Sequence, residues 1–495
     1  MKGIAVVAAV GSLLATTIQA RDGVVRFDIK RRQHNVPPRL ARRSESTLPV
    51  SLANNVENGA YFVDVSMGTP PQRLSLQLDT GSSDTWAPLT SASICQRSAG
   101  NPQGCSFGAF NPNTSSTFKD IGPNQFSITY GDNTMSTGDY FSDVLEIGGT
   151  ELKNFTMGLG ANTTNSWGLV GVGYASGEAI TQSGQNLAAE YPNLPAFLME
   201  KNMINTVAYS LWLNDLQAST GNILFGAIDT EQYHGDLVRV NVLKDPRIGI
   251  IDQFTVALTS IQAVSSTGND SLSSLEFPIA VDLDSGTTLS LLPTDLAEEV
   301  WREAGASYDT DAQSALIPCS RSNSSGYFAF GFGGEGGPVI NVHMSELVLP
   351  LVVNTTAEQT TCRFGIQNMT ASPDALYLFG DTILRSAYVV YDLVNNEVGI
   401  AQTNLNATST NVVAFASSGA PIPSSTPAPS QAQIANNASS TTPPSFSAEL
   451  GFGNGTTGSG NGNAGSTPSV LDYPQLVFIG VSVFFAMAGS GFFML

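Results

Sequence analysis

Histidine and cysteine are nearly absent, with three and four residues in a chain of 495. Positive charge is scarce as well: 21 Lys and Arg stand against 41 Asp and Glu, a formal net charge of −20 at pH 7. The first scarcity argues against zinc. Cysteine separations of 10 and 43 residues, with only His34, His234 and His343 to complete a set, do not match the close ligand pairs zinc uses, so neither metal nor cofactor is expected. The second scarcity removes nucleic acid as a partner. It suits an acidic medium, where carboxylates become neutral and few cations replace their repulsion. Only 13% of residues are charged, Gly, Ser and Thr are abundant, and apolar stretches are short and bounded by turn residues, which together predict mostly β structure. The length exceeds one core, so two domains plus appendages are expected. Cys95, Cys105, Cys319 and Cys362 allow three pairings.

What is present is a repeat. Leu78-Asp79-Thr80-Gly81-Ser82-Ser83 returns 205 residues later as Leu283-Asp284-Ser285-Gly286-Thr287-Thr288. In each copy an apolar run reads as a buried strand that ends at the Asp, and the Gly permits a tight turn that brings backbone N–H groups round to the carboxylate. One such loop is ordinary turn chemistry. Two facing loops hold two carboxyl groups within hydrogen-bond reach, where like charges cannot both ionise and one proton is shared. Such a pair activates water.

Further motifs surround the two loops. Gly68-Thr69-Pro70-Pro71-Gln72 precedes the first and Trp86-Ala87-Pro88 follows it, with Tyr130-Gly131-Asp132 beyond; Leu169-Val170-Gly171 and Leu378-Phe379-Gly380 are paired apolar-apolar-Gly segments. On these motifs the chain resembles the pepsin-like aspartic proteases over residues 60–402. The resemblance implies a mainly all-β, bilobal fold with a cleft between related lobes, and hydrolysis of peptide bonds in proteins or polypeptides at acidic pH. It implies Asp79 and Asp284 as catalytic groups, with Ser82 and Thr287 bonding the carboxyls, Gly81 and Gly286 supplying N–H groups, and Thr80 and Ser285 cross-linking the loops beneath. Tyr130, held by the Trp86 indole, would close over substrate on a flap with Gly131 and Asp132, and Thr288 would line the substrate site. It also implies the disulfides Cys95–Cys105 and Cys319–Cys362, and a monomer.

Along the chain, residues 1–20 carry Lys2, an apolar run and Ala20, and read as a signal peptide. Residues 21–43 hold eight basic and two acidic residues; the expectation is a basic pro-segment that docks over the acidic cleft as an inhibitor and is cut after Arg43. An N-terminal lobe is expected over 44–222 and a C-terminal lobe over 223–403, with a helix near 293–304 capped by Thr294. Residues 404–463 are rich in Ser, Thr, Pro, Gly and Asn and read as a linker. Residues 464–495 end in an apolar run with no charge after Asp472, which is either a membrane span or a removable GPI signal; the lack of following basic residues and the small residues before a polar spacer fit the GPI signal better, with attachment at Asn463, beside the rivals Asn461 and Gly462. Sequons at Asn113, Asn154, Asn162, Asn269, Asn323, Asn354, Asn368, Asn406, Asn437 and Asn454 fit a secreted glycoprotein tethered to the extracellular face of the membrane, or to a cell wall.

Anchor and linker are similar to those of the yapsins of fungal cell surfaces, which cleave at basic residues. Asp132 would favour such sites by pairing with a substrate cation. The short loop between Cys95 and Cys105, without an acidic insertion, departs from that pattern. Asp282 is a second departure, two residues before Asp284 and on the same strand face, where it either raises its neighbour's pKa or points into a polar layer. A non-catalytic surface-binding protein on the same fold would show itself by a missing Asp or Gly, and none is missing.

Overall fold

The structure, a computed structural model, describes residues 23–31, 60–98, 101–131, 134–181, 184, 186–218, 220–274, 277–351, 360–369, 377–431 and 444–453. Alternation of apolar and polar residues builds the first lobe. Tyr61–Met67 and Gln72–Asp79 pair antiparallel, with Val63 opposite Leu76 and Val65 opposite Leu74, and bury their apolar faces. Lys119–Thr129 and Met135–Ile147 pair as a hairpin with Tyr130 and Gly131 just past its first strand, continued by Thr150–Thr163. The second lobe repeats the design with an eight-stranded sheet that includes Thr255–Ser265, Ile279–Leu283 and Tyr327–Phe332.

Both lobes rest on one shared antiparallel layer. In it Tyr233–Asn241, Glu397–Thr403, Ala387–Asp392, Ala208–Trp212, Thr220–Phe225 and Val25–Arg31 lie side by side. Tyr209 stacks on Tyr391 at 5.0 Å, and Phe254 of the second lobe packs edge-on to Tyr391 at 4.5 Å. The expected lobe boundary at 222/223 therefore falls inside a strand, because the chain crosses between lobes within the common layer.

Three further expectations are corrected. Residues 24–31 of the basic segment do not lie over the cleft: Val25, Phe27 and Ile29 alternate inward, so this stretch satisfies its backbone as a strand between Thr220–Phe225 and Tyr61–Met67. Residues 32–43 lie outside the described residues, as do the signal peptide, Asn354, Asn437, Asn454 and the anchor region with Asn463. The linker does not begin at 404. Val412–Ala414 pairs with Ala227–Asp229, Ser425–Pro427 adds to the shared layer, and Phe415, Ile422 and Phe452 are buried against the body. Lastly, Thr294 opens the helix Thr294–Ala304 without capping it, since its hydroxyl donates to the Met369 carbonyl at 3.3 Å.

The disulfides are Cys95–Cys105 and Cys319–Cys362. Of the described sequon asparagines, Asn113, Asn154, Asn162, Asn269, Asn323 and Asn406 are exposed and Asn368 is half-buried.

Phe27, 1% exposed and 5.2 Å from the Phe225 ring, is the central plug of the N-terminal strand. In the unprocessed chain, Phe27→Ala is expected to cost about 3–5 kcal/mol. Urea unfolding measures this, and an unchanged midpoint would show that the strand contributes nothing.

Candidate active site

Each Asp loop is held at both ends by the same arrangement of buried strands. Leu169–Gly171 runs parallel to Gln72–Asp79, with Leu78 beside Val170, and antiparallel to Thr85–Pro88. In the second lobe Tyr377–Phe379 does the same beside Ile279–Leu283 and Ser290–Pro293. Backbone bonds complete the brace: Val172 N–H donates to the Asp79 carbonyl at 3.0 Å and Asp284 N–H to the Phe379 carbonyl at 3.1 Å. The carboxyls at the strand ends thus inherit the rigidity of two sheets.

The two loops meet. Ser285 N–H donates to Thr80 Oγ1 at 2.9 Å, and Thr80 N–H donates to Ser285 Oγ at 3.2 Å, a reciprocal pair across 205 residues of sequence. Each hydroxyl then reaches under the opposite strand, Thr80 to the Leu283 carbonyl at 2.9 Å and Ser285 to the Leu78 carbonyl at 3.3 Å. Above this clasp, Gly81 N–H donates to Asp79 Oδ1 at 2.9 Å and to Asp284 Oδ1 at 3.2 Å, while Gly286 N–H donates to Asp284 Oδ1 at 2.7 Å. Thr287 donates its hydroxyl to Asp284 Oδ2 at 2.6 Å, and Ser82 bonds Asp79 in the matching place. Glycine is required at 81 and 286 by this close approach: a Cβ would sit 2.7 Å from Asp284 Oδ1 and 2.4 Å from Asp79 Oδ1 respectively.

Asp79 and Asp284 are 6% and 8% exposed, so the pair is nearly out of water yet open at one edge. Burial, then the charge of Asp284, holds the Asp79 carboxyl well above its usual range. Asp282 lies beneath, 1% exposed. Burial and the charges of Asp284 and Asp79 push it up too, and its Oδ1 has no hydrogen-bond partner among the described residues. Asp282 is thus a buried carboxyl within electrostatic reach of Asp284 and Asp79.

Trp86, fully buried, donates its indole N–H to Tyr130 Oη at 2.7 Å at the base of the hairpin tip. Gly131 is exposed there, with nothing within 4 Å of where a Cβ would lie. Asp132 lies outside the described residues. Thr288 is half-buried at the end of the second loop, and its carbonyl accepts from Thr382 N–H at 3.1 Å.

Sequence reasoning missed two sets of supporting residues. Gln77 donates to the Gly286 carbonyl at 2.7 Å and accepts from the Trp167 indole at 2.9 Å, so it ties the second Asp loop to the first lobe. An amide at one of the polar positions of the alternating stretch 74–78 was its only signal. Asp84 accepts from Tyr140 Oη at 2.8 Å, Tyr191 Oη at 2.7 Å and Ala179 N–H at 2.7 Å behind the Trp86 ring. Beside it Glu178 is fully buried and pushed up to about 9, first by burial and then by the charge of Asp84.

Among the described residues no group of three or more His, Cys, Asp or Glu is placed to hold a metal ion, and no helix is long and apolar enough to cross a membrane. A family model described as eukaryotic aspartyl protease matches residues 60–403. A relative in Trichophyton verrucosum, named "Probable aspartic-type endopeptidase OPSB", is 38% identical over 433 residues, which cover 84% of this chain and 85% of that protein. "Aspartic proteinase yapsin-3" of Saccharomyces cerevisiae is 33% identical, covering 81% of this chain and 77% of its own. "Secreted aspartic protease 3" of Candida albicans is also 33% identical, covering 74% and 85%.

Glu178 sets a pH limit on the first lobe. A carboxyl whose pKa rises from 4.5 unfolded to about 9 folded costs nothing below the lower value, and the folded state loses stability as pH climbs between the two. The thermal midpoint of the wild type is therefore expected to fall between about pH 5 and pH 8, and Glu178→Gln, which keeps an acceptor for Tyr191 N–H, to fall less. Parallel slopes for the two proteins would contradict this.

Proposed function

Because the chain belongs to the eukaryotic aspartyl protease family and is an aspartic-type endopeptidase, we propose that Asp79 and Asp284 are its catalytic pair and that it hydrolyses peptide bonds of proteins in an acidic extracellular setting. The observation that carries this reading is the Gly81 N–H shared between Asp79 Oδ1 and Asp284 Oδ1, which sets the two carboxyls face to face. With one proton between them, the ionised member takes a proton from water as the water oxygen attacks the scissile carbonyl carbon. The protonated member donates to the carbonyl oxygen. The resulting diol collapses as its C–N bond breaks and the leaving nitrogen receives a proton from the pair. Protein supplies acid and base in one place, so no covalent intermediate is needed.

Thr80, Gly81, Ser82, Ser285, Gly286 and Thr287 support this chemistry by fixing where the carboxyl oxygens point. Tyr130, braced by Trp86, closes with Gly131 and Asp132 over the substrate and excludes water, with Thr288 at the floor of the site. Residues 1–20 direct the chain into the secretory pathway, and a GPI anchor at Asn463 holds it at the extracellular face. The six exposed sequon asparagines support a glycoprotein.

Asp79→Asn is expected to lower kcat by at least about 10³-fold on denatured protein, because it removes a group that serves as both acid and base. The wild-type activity should be bell-shaped and fall as the shared proton is lost; a flat profile from acid to about pH 8 would contradict the pair. Asp132 is the proposed source of a preference for Lys or Arg in the substrate. A peptide library cut by wild type and Asp132→Ala tests that, and identical cleavage patterns would remove it.

A further inference from the structure

Residues 444–453 begin 17 residues beyond the last strand of the shared layer, Ser425–Pro427, and are seated on the second lobe through a built socket. At one end of the socket Asp270, 3% exposed, accepts four bonds from this segment. Ser445 N–H donates at 3.1 Å, Ser447 Oγ at 3.0 Å, Ala448 N–H at 2.8 Å, and Ser445 Oγ closes on the same carboxylate. Burial opposes ionisation, but these donors together with the Glu303 side chain outweigh it and hold Asp270 below its usual range. The hairpin that carries Asp270 adds two hydroxyls: Thr267 Oγ1 donates to the Ser447 carbonyl at 2.8 Å and Ser265 Oγ to the Ala448 carbonyl at 2.7 Å. At the other end Phe452 is fully buried, stacked on Phe328 at 5.1 Å, over a glycine whose Cβ would come within 2.6 Å of the ring. That glycine is Gly326, and only its missing side chain leaves room for the aromatic. Between the two ends the Arg302 guanidinium covers the Phe446 ring at 3.7 Å.

An ionised acceptor, a slot cut for one ring and a cation over another make a peptide-binding site, and its occupant is this chain's own tail. We propose that residues 444–453 are a strap whose seat on the second lobe shortens the tether between the enzyme body and its C-terminal attachment, so that the cleft works close to the anchoring surface. The membrane consequence rests on the anchoring reading above; the seat itself does not. With the strap unseated, chain from residue 432 to Asn463 would span at most about 110 Å, since residues up to Gln431 are held on the body, whereas from residue 454 it would span at most about 35 Å. In the Gly-rich regime the corresponding root-mean-square reaches are about 31 Å and about 17 Å. The shorter tether confines the enzyme to substrates held near the same surface and raises their effective concentration.

The test uses the full chain, with Phe452→Ser on the strap and Asp270→Ala in the socket. Hydrogen exchange at Ala448 and Gly451, whose N–H groups are bonded to Asp270 and Thr267, is expected to be protected in wild type and to speed up at least about tenfold in both variants. Since Phe452→Ser changes only the strap, it stands even where Asp270→Ala fails to fold. Unprotected amides in wild type would overturn the seat. On anchored protein, cleavage of reporters on stalks of about 10 residues should exceed that on stalks of about 60 residues by about tenfold. Phe452→Ser should bring the two within about twofold while leaving hydrolysis of soluble peptides unchanged. Protected amides with no such height dependence would overturn the short tether. Persistence on membranes after a phosphatidylinositol-specific lipase would sink the anchoring reading, and the tether with it, while the exchange result would still decide the seat.

Discussion

The reciprocal bond between Thr80 and Ser285 is the constraint on which the rest of the molecule depends. Two carboxyls at close range repel when both ionise, and only a scaffold stiffer than that repulsion can keep them together. Here the stiffness comes from pairing each hydroxyl with a backbone carbonyl of the opposite strand, so neither loop can shift without breaking bonds in both lobes. Gln77 adds a second cross-lobe bond to the Gly286 carbonyl. The shared layer underneath takes part as well, since Tyr391 Oη donates to the same Leu283 carbonyl that Thr80 reaches, at 3.3 Å.

Around that fixed point the molecule accumulates acids whose carboxyls burial holds above their ordinary range. Asp282 sits under the pair, while Asp84 and Glu178 sit behind Trp86, and all three are raised chiefly by loss of water. In acid these groups are neutral and add little repulsion to the site. As pH rises they become liabilities at the two places that matter most, the floor of the pair and the support of the flap. A chain with so few cations has little to offset them, and this links the composition to the acidic medium in which the enzyme is expected to work.

The pair itself was legible because its loop occurs twice, and a repeat of Asp, hydroxyl and Gly after an apolar run constrains geometry more than either copy alone. The hydrogen bond between Trp86 and Tyr130 was legible through the family resemblance. Contacts made by generic residues were not. Gln77 and Gly286 are 209 residues apart, and neither has a side chain that announces a partner. The C-terminal segments were hidden by composition: Phe415, Ile422 and Phe452 are isolated apolar residues in a polar stretch, and each is buried in a place the body provides, not in a core of its own. Thr294 has the residue type of a helix cap, but a nearby carbonyl of Met369 offered its hydroxyl a better partner than the helix did. The N-terminal strand was read as a charged segment because Lys and Arg dominate it, although the alternation of Val25, Phe27 and Ile29 carried the opposite message.

Proton sharing between Asp79 and Asp284 is the central claim, and carboxyl carbon chemical shifts followed against pH with labelled aspartate measure it most directly. The account predicts that, over the whole range in which the enzyme is active, one carboxyl of the pair remains protonated while the other is ionised, and that activity disappears with the second proton. Two carboxyls that ionise together, each near the ordinary value for aspartate, would contradict it.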